Sequence, residues 1–132
     1  MTFEEANSWR TEVTEKLREF GIQAINPLRG RMFVHSGEEE FNPNEIVGRD
    51  LRDIRAADLV LVYIPRTERF SIGTTCEMWH TYYTEHKPLI LVSDDPRYTG
   101  HPWVQVMTTK VFEKMEPAVQ YIVERWADEE EI

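Results

Sequence analysis

The sequence predicts an α/β domain, a three-layer sandwich with a mostly parallel sheet between two layers of helices. Three observations carry this reading. Residues 59–64 are a continuous apolar run of strand length, the pattern of a strand covered on both faces and therefore expected to be central. Apolar residues at three- and four-residue steps precede it, in Ala6, Trp9, Val13, Leu17 and Phe20 and again in Val47, Leu51 and Ile54, as amphipathic helices require. Strand-like and helix-like segments then alternate to the end of the chain, which is how parallel strands joined by helical crossovers read in sequence.

Thr2 followed by Glu5 fits a capping box for the first helix, and Gly21 ends it. Residues 22–26 read as a short strand closed by Pro27, and the Asn-Pro-Leu-Arg-Gly run at 26–30 as the loop leaving its C-terminal end. In parallel α/β sheets that edge is where ligands bind, so Asn26 and Arg29 are candidate substrate contacts, although surface arginines are more often simply solvated. Residues 31–43, with Gly37, three successive glutamates and Pro43, form a polar segment long enough to act as a flap. Asn44 is positioned to cap a second helix, on which Asp50 borders the apolar stripe. A salt bridge to Arg49 or Arg52 is one reason for a carboxylate there, and a functional role is the other.

After the 59–64 strand and a loop at 65–70, the run Ser-Ile-Gly-Thr-Thr-Cys-Glu-Met at 71–78 opens a helix that continues through Trp79, Tyr82 and Tyr83. Gly73 allows close approach of a bound group, and Ser71, Thr74 and Thr75 offer hydroxyls beside the free N–H groups of a helix start. Glu77 falls in the first turn or two, where a carboxylate is either a partner of the helix dipole or an ionised nucleophile. A strand at 88–93, a loop at 94–100, a Pro-bounded segment at 101–107 without helix or strand period, a last strand at 110–112 and a helix from Pro117 to Trp126 complete the chain before an acidic tail at 128–131.

At 132 residues the whole chain is expected to form one domain. Its net charge of −9 and the lack of any Lys/Arg cluster exclude the phosphate-backbone footprint of a nucleic-acid binder, so the expected partner is a small molecule. The four histidines lack metal-ligand spacing and the single cysteine, Cys76, has no internal disulfide partner, so neither a metal nor a cofactor is expected. No stretch reads as a signal peptide, transit peptide or membrane span, and a reducing cytoplasm is the expected compartment.

The pattern Ser-Ile-Gly-Thr-x-x-Glu at 71–77 follows Arg-Asp-Leu-x-Asp-Ile-x-x-Ala-Asp-Leu-Val-Leu-Val at 49–62 and precedes Lys-Pro-Leu-Ile-Leu-Val at 87–92. In this order and spacing the three resemble the nucleoside 2-deoxyribosyltransferase family and its nucleotide N-glycosidase relatives, over residues 4–112. The resemblance implies a flavodoxin-like or Rossmann-like sheet of four to five parallel strands, Glu77 as nucleophile and Asp50 working beside it near base and sugar. It also implies a homo-oligomer built from dimers, in which the region after Gly100 completes a neighbouring subunit's site. Ser71 stands where the transferases acting on free nucleosides carry aspartate and the nucleotide hydrolases carry serine, as binding of a 5′-phosphate would favour.

The sequence begins after the position of the family's first strand, which in the sheet order 2-1-3-4-5 lies between 22–26 and 59–64. Those two segments are therefore expected either to pair directly or to be completed by another chain. The activity implied is cleavage of an N-glycosidic bond, with the sugar passed to a second base or to water. An inactive nucleotide-binding or regulatory protein on the same scaffold is the alternative, and an FMN binder a weaker third.

Overall fold

The computed structural model describes residues 2–27, 42–66 and 72–127. Helix α1 spans Phe3–Arg18, and the Thr2 side chain accepts the Glu5 amide at 3.1 Å, as the capping pattern requires. Gly21, at φ 76°, supplies the left-handed residue that turns the chain away from it. Helix α2 spans Pro43–Ala56, strand β1 Val60–Tyr63 and helix α3 Ile72–Trp79, which continues into a π-helical turn at His80–Thr84. Strand β2 is Leu89–Val92, the short helices α4 and α5 are Pro96–Thr99 and Pro102–Met107, strand β3 is Lys110–Phe112 and helix α6 is Met115–Trp126.

The strands form a parallel sheet in the order β1-β2-β3, with Val60 beside Leu89 and Ile90 beside Lys110. Alternation along the strands builds the two faces. Ile90 and Val92, with Leu61 and Tyr63, meet α1 and α6 through Val13, Leu17, Ala118, Val119 and Ile122. Leu89 and Leu91, with Val62 and Ile64, meet α3 and α5 through Met78, Val104 and Met107. This is the expected three-layer arrangement, since a strand's side chains point alternately to opposite faces. On the second face, the Lys87 ammonium closes the C-terminal end of α2 by donating to the carbonyls of Ile54, at 2.9 Å, and Arg55.

Four expectations need correction. The sheet has three strands among the described residues, not four to five. Residues 22–26 alternate in burial as a strand would, and Ile22 and Ala24 pack beside Leu59, Leu61 and Tyr63, yet they join no ladder among the described residues and the Ile22 amide returns to the Leu17 carbonyl at 3.1 Å. The direct pairing of 22–26 with 59–64 is therefore not seen. The central, fully buried strand is β2, whereas β1 is only half-buried and lies at one side of the described sheet.

The remaining corrections concern boundaries. Asn42, not Asn44, caps α2, accepting the amides of Asn44 and Glu45, because Pro43 already occupies the first helical position. Residues 96–99 and 102–107, expected to be irregular, are helical, each opened by a proline behind a side-chain cap from Asp95 and His101 respectively. The segment proposed as a flap lies outside the described residues, apart from its last two positions, and so does the acidic tail.

The loop that leaves β2 is fixed by a buried carboxylate. Asp95 accepts the Arg97 amide at 3.0 Å and takes the Arg97 guanidinium through both oxygens, at 2.6 Å for Nη2. Those side-chain hydrogen bonds, above all, hold its carboxyl below the ordinary value of 3.8. A depressed carboxyl contributes stability above its unfolded value, and that contribution is lost as pH falls through the folded one. Asp95→Asn keeps the cap but not the charge. The variant should be less stable than the parent at neutral pH, and the gap should close below about pH 4. Thermal melts from pH 7 to 3 measure this; a constant gap across the range contradicts it.

Candidate active site

Because β1, β2 and β3 run parallel, their C-terminal ends share one edge, and the start of α3 joins them there. Arg66, just beyond β1, ties this edge together by donating from Nη2 to the Asp94 carbonyl at 3.0 Å. Met78, fully buried in the second core, anchors α3 on the sheet and sets the direction of its neighbour. Glu77 is half-buried in the second turn of α3, beyond the first turn where the helix dipole is strongest. Behind it, the buried Thr81 hydroxyl donates to the Glu77 carbonyl at 2.7 Å as the helix widens into its π turn.

Within electrostatic reach of Glu77 is a residue that the sequence pattern does not single out. Arg10 of α1 is half-buried, its Nη1 donates to the Ala6 carbonyl at 2.8 Å, and its guanidinium lies 4.5 Å from the centre of the Trp9 ring. Trp9 in turn meets Tyr63, the last residue of β1, edge-on at 5.3 Å. Burial lowers the Arg10 pKa from its ordinary value, and the field of the Glu77 carboxylate opposes that shift. An arginine remains protonated through such a shift, so a fixed cation stands within electrostatic reach of the candidate nucleophile. Asn7, one turn earlier on α1, accepts from Asn26 Nδ2 at 3.0 Å. One edge of α1 thus brings the 22–26 segment towards the strand ends.

Asp50 is half-buried on α2, and α2 packs directly against α3, so the helices of Asp50 and Glu77 are neighbours. Gly73 is exposed and Thr74 half-buried in the first turn of α3. Arg29 and Ser71 lie outside the described residues. Of the seven candidates, Glu77, Asp50, Gly73 and Thr74 therefore fall on two packed helices and Asn26 is pinned to a third. Nothing in the hydrophobic period marks Arg10, which sits beside the apolar stripe of α1 as many solvated arginines do. The usable signal was its position three residues after Asn7 and four after Ala6, on the partly covered edge.

A family model described as nucleoside 2-deoxyribosyltransferase like matches residues 1–96. The chain belongs to that family. The match takes in every candidate site residue and ends inside α4, so α5, β3 and α6 lie beyond it. No curated protein and no solved structure matches the chain. Among the described residues, no group of three or more His, Cys, Asp or Glu side chains is placed to hold a metal ion, and no helix is long and apolar enough to cross a membrane.

Coupling between the two charges is measurable without any substrate. Arg10→Met and Glu77→Gln, made singly and together, should show an interaction of about 0.5–1.5 kcal/mol in denaturant unfolding, the double variant losing less than the sum of the singles. Strict additivity would mean that the cation and the carboxylate do not interact.

Proposed function

We propose that this member of the family cleaves the N-glycosidic bond of a (deoxy)ribonucleoside or of its 5′-monophosphate, with Glu77 as nucleophile. The observation that carries the reading is the half-buried Glu77 on α3, within the segment matched to the family and within electrostatic reach of the Arg10 cation anchored on α1. The cation favours the ionised carboxylate, which is the form that attacks. One Glu77 oxygen forms a bond to C1′ as the C1′–N bond breaks through an oxocarbenium-like transition state, and the base departs with the bonding electrons and takes up a proton. Asp50 manages that proton or the hydrogen bonds of the base.

The resulting glycosyl ester is opened at C1′ by water, which gives hydrolysis, or by a second base, which gives transfer. Either attack comes from the face the first base left and restores the original configuration. Ser71, with Gly73 and Thr74 at the helix start, holds the 5′ end, and Asn26 and Arg29 contribute from the neighbouring loop. The enzyme works in the cytoplasm as a homo-oligomer based on dimers and needs no metal or cofactor.

Glu77→Ala should lower cleavage by at least about a thousandfold while the fold persists. The assay is release of free base from a panel of nucleosides and 5′-monophosphates, followed by chromatography. Parent-like turnover by the variant ends the mechanism, and ligand binding by the parent without base release favours the regulatory alternative.

Substrate choice tests Ser71 separately. The parent should prefer monophosphates, and Ser71→Asp should flatten or reverse the preference by charge repulsion. Equal kcat/KM of the parent for nucleosides and monophosphates would remove Ser71 as a phosphate reader.

A further inference from the structure

Thr81 puts a hydroxyl where an apolar side chain of the same shape would fit. It is fully withdrawn from water, three residues along from Met78 and so on the same side of the helix, the side that packs into the second core. Valine would need no partner there, whereas a buried hydroxyl does. The Thr81 hydroxyl finds one by donating to the Glu77 carbonyl at 2.7 Å, four residues back. Thr11, Thr14 and Thr108 make the same four-residue bond elsewhere, at exposed or half-buried positions where water can take it over. Thr81 is out of reach of bulk water, so its bond holds that carbonyl in one place.

The carbonyl belongs to the candidate nucleophile, and it lies just before the helix changes register. Up to Trp79 the helix is α; from His80 to Thr84 it is π, and the Glu85 amide reaches five residues back to the His80 carbonyl at 3.0 Å. Such single turns are rare within α-helices and recur at functional sites. The Thr81 hydroxyl crosses the junction, from inside the π turn to the α turn before it, and keeps the four-residue spacing over Glu77. If the widening moved one turn towards the N-terminus it would pass Glu77, and one residue of register is about 100° of rotation about the helix axis. Met78, locked in the core, fixes the residue that follows Glu77. The backbone that carries the Glu77 side chain is thus held by two buried groups.

We propose that Thr81 is a positioning residue for Glu77: its hydroxyl stops the π turn short of the nucleophile and keeps the carboxylate on the face from which it attacks C1′. The proposal rests on the glycosidic reading, since the atom positioned is the attacking oxygen. Nucleophile and carbon must sit about 3–3.5 Å apart and aligned, and a misplacement of about 1 Å costs about a hundredfold in rate. Because Thr81 is wholly buried, it acts through Glu77 and not on the substrate, so its loss lowers kcat and spares KM.

Two substitutions separate the hydroxyl from the packing. Thr81→Val keeps the shape and loses the hydroxyl, while Thr81→Ser keeps the hydroxyl and loses a buried methyl. In the base-release assay Thr81→Val should lower kcat by about tenfold to a hundredfold with KM within about twofold of the parent, and Thr81→Ser should keep kcat within about threefold. Thr81→Ser should nevertheless melt below the parent, having lost a buried methyl, so activity follows the hydroxyl and not the stability. If circular dichroism shows Thr81→Val unfolded, Thr81→Ala set against Thr81→Ser makes the same comparison. Parent-like kcat without the hydroxyl, a Thr81→Ser variant as slow as Thr81→Val, or a rise in KM at constant kcat overturns the proposal and leaves the glycosidic reading standing. A parent that releases no base from any nucleoside or monophosphate overturns both.

Discussion

Burial of β2 on both faces is the constraint from which the rest of the molecule follows. Leu89, Ile90, Leu91 and Val92 are all withdrawn from water, and their backbone groups are paired to β1 on one side and β3 on the other. Four consecutive apolar side chains cannot be satisfied by one layer. Two must go up and two down, so one helical pair, α1 and α6, and a second, α3 and α5, are both required. The crossover geometry that supplies those layers also gathers the ends of the strands and the first turns of α3 at one edge, where α1 contributes Arg10.

That constraint explains what could be read from the sequence. β2 and β3 are visible as apolar runs between turn-forming residues, and α1 and α6 as sustained helical periods, because burial in those elements depends on their own pattern. Residues 22–26 misled because alternating burial does not identify a hydrogen-bond partner. Ile22 and Ala24 are covered by the first core without entering a ladder among the described residues. α5 was missed because six residues hold too few periods to read, and only Val104 and Met107 of them are buried.

The site divides in the same way. Glu77 and Asp50 stand out as candidates because they lie inside motifs of fixed spacing, and both fall within the segment matched to the family. Arg10 is not legible, because its significance arises from a relation between α1 and α3, two helices more than fifty positions apart in the chain, and no local pattern encodes that. Its local anchors, the Ala6 carbonyl and the Trp9 ring, become meaningful only when Tyr63 and Glu77 are set beside them.

The Lys87 ammonium bound to the last carbonyls of α2 has a mechanical consequence. Lys87 follows the π turn at the N-terminal edge of the sheet, and around it Glu85 receives His80 at 3.1 Å and Arg55 at 3.5 Å. The helices of Asp50 and Glu77 are therefore clasped at the end remote from the strand termini. Sliding or twisting of one helix against the other would break these hydrogen bonds, so the clasp resists both. The relative position of the two helices that carry the carboxylates is thus held by contacts remote from either carboxylate.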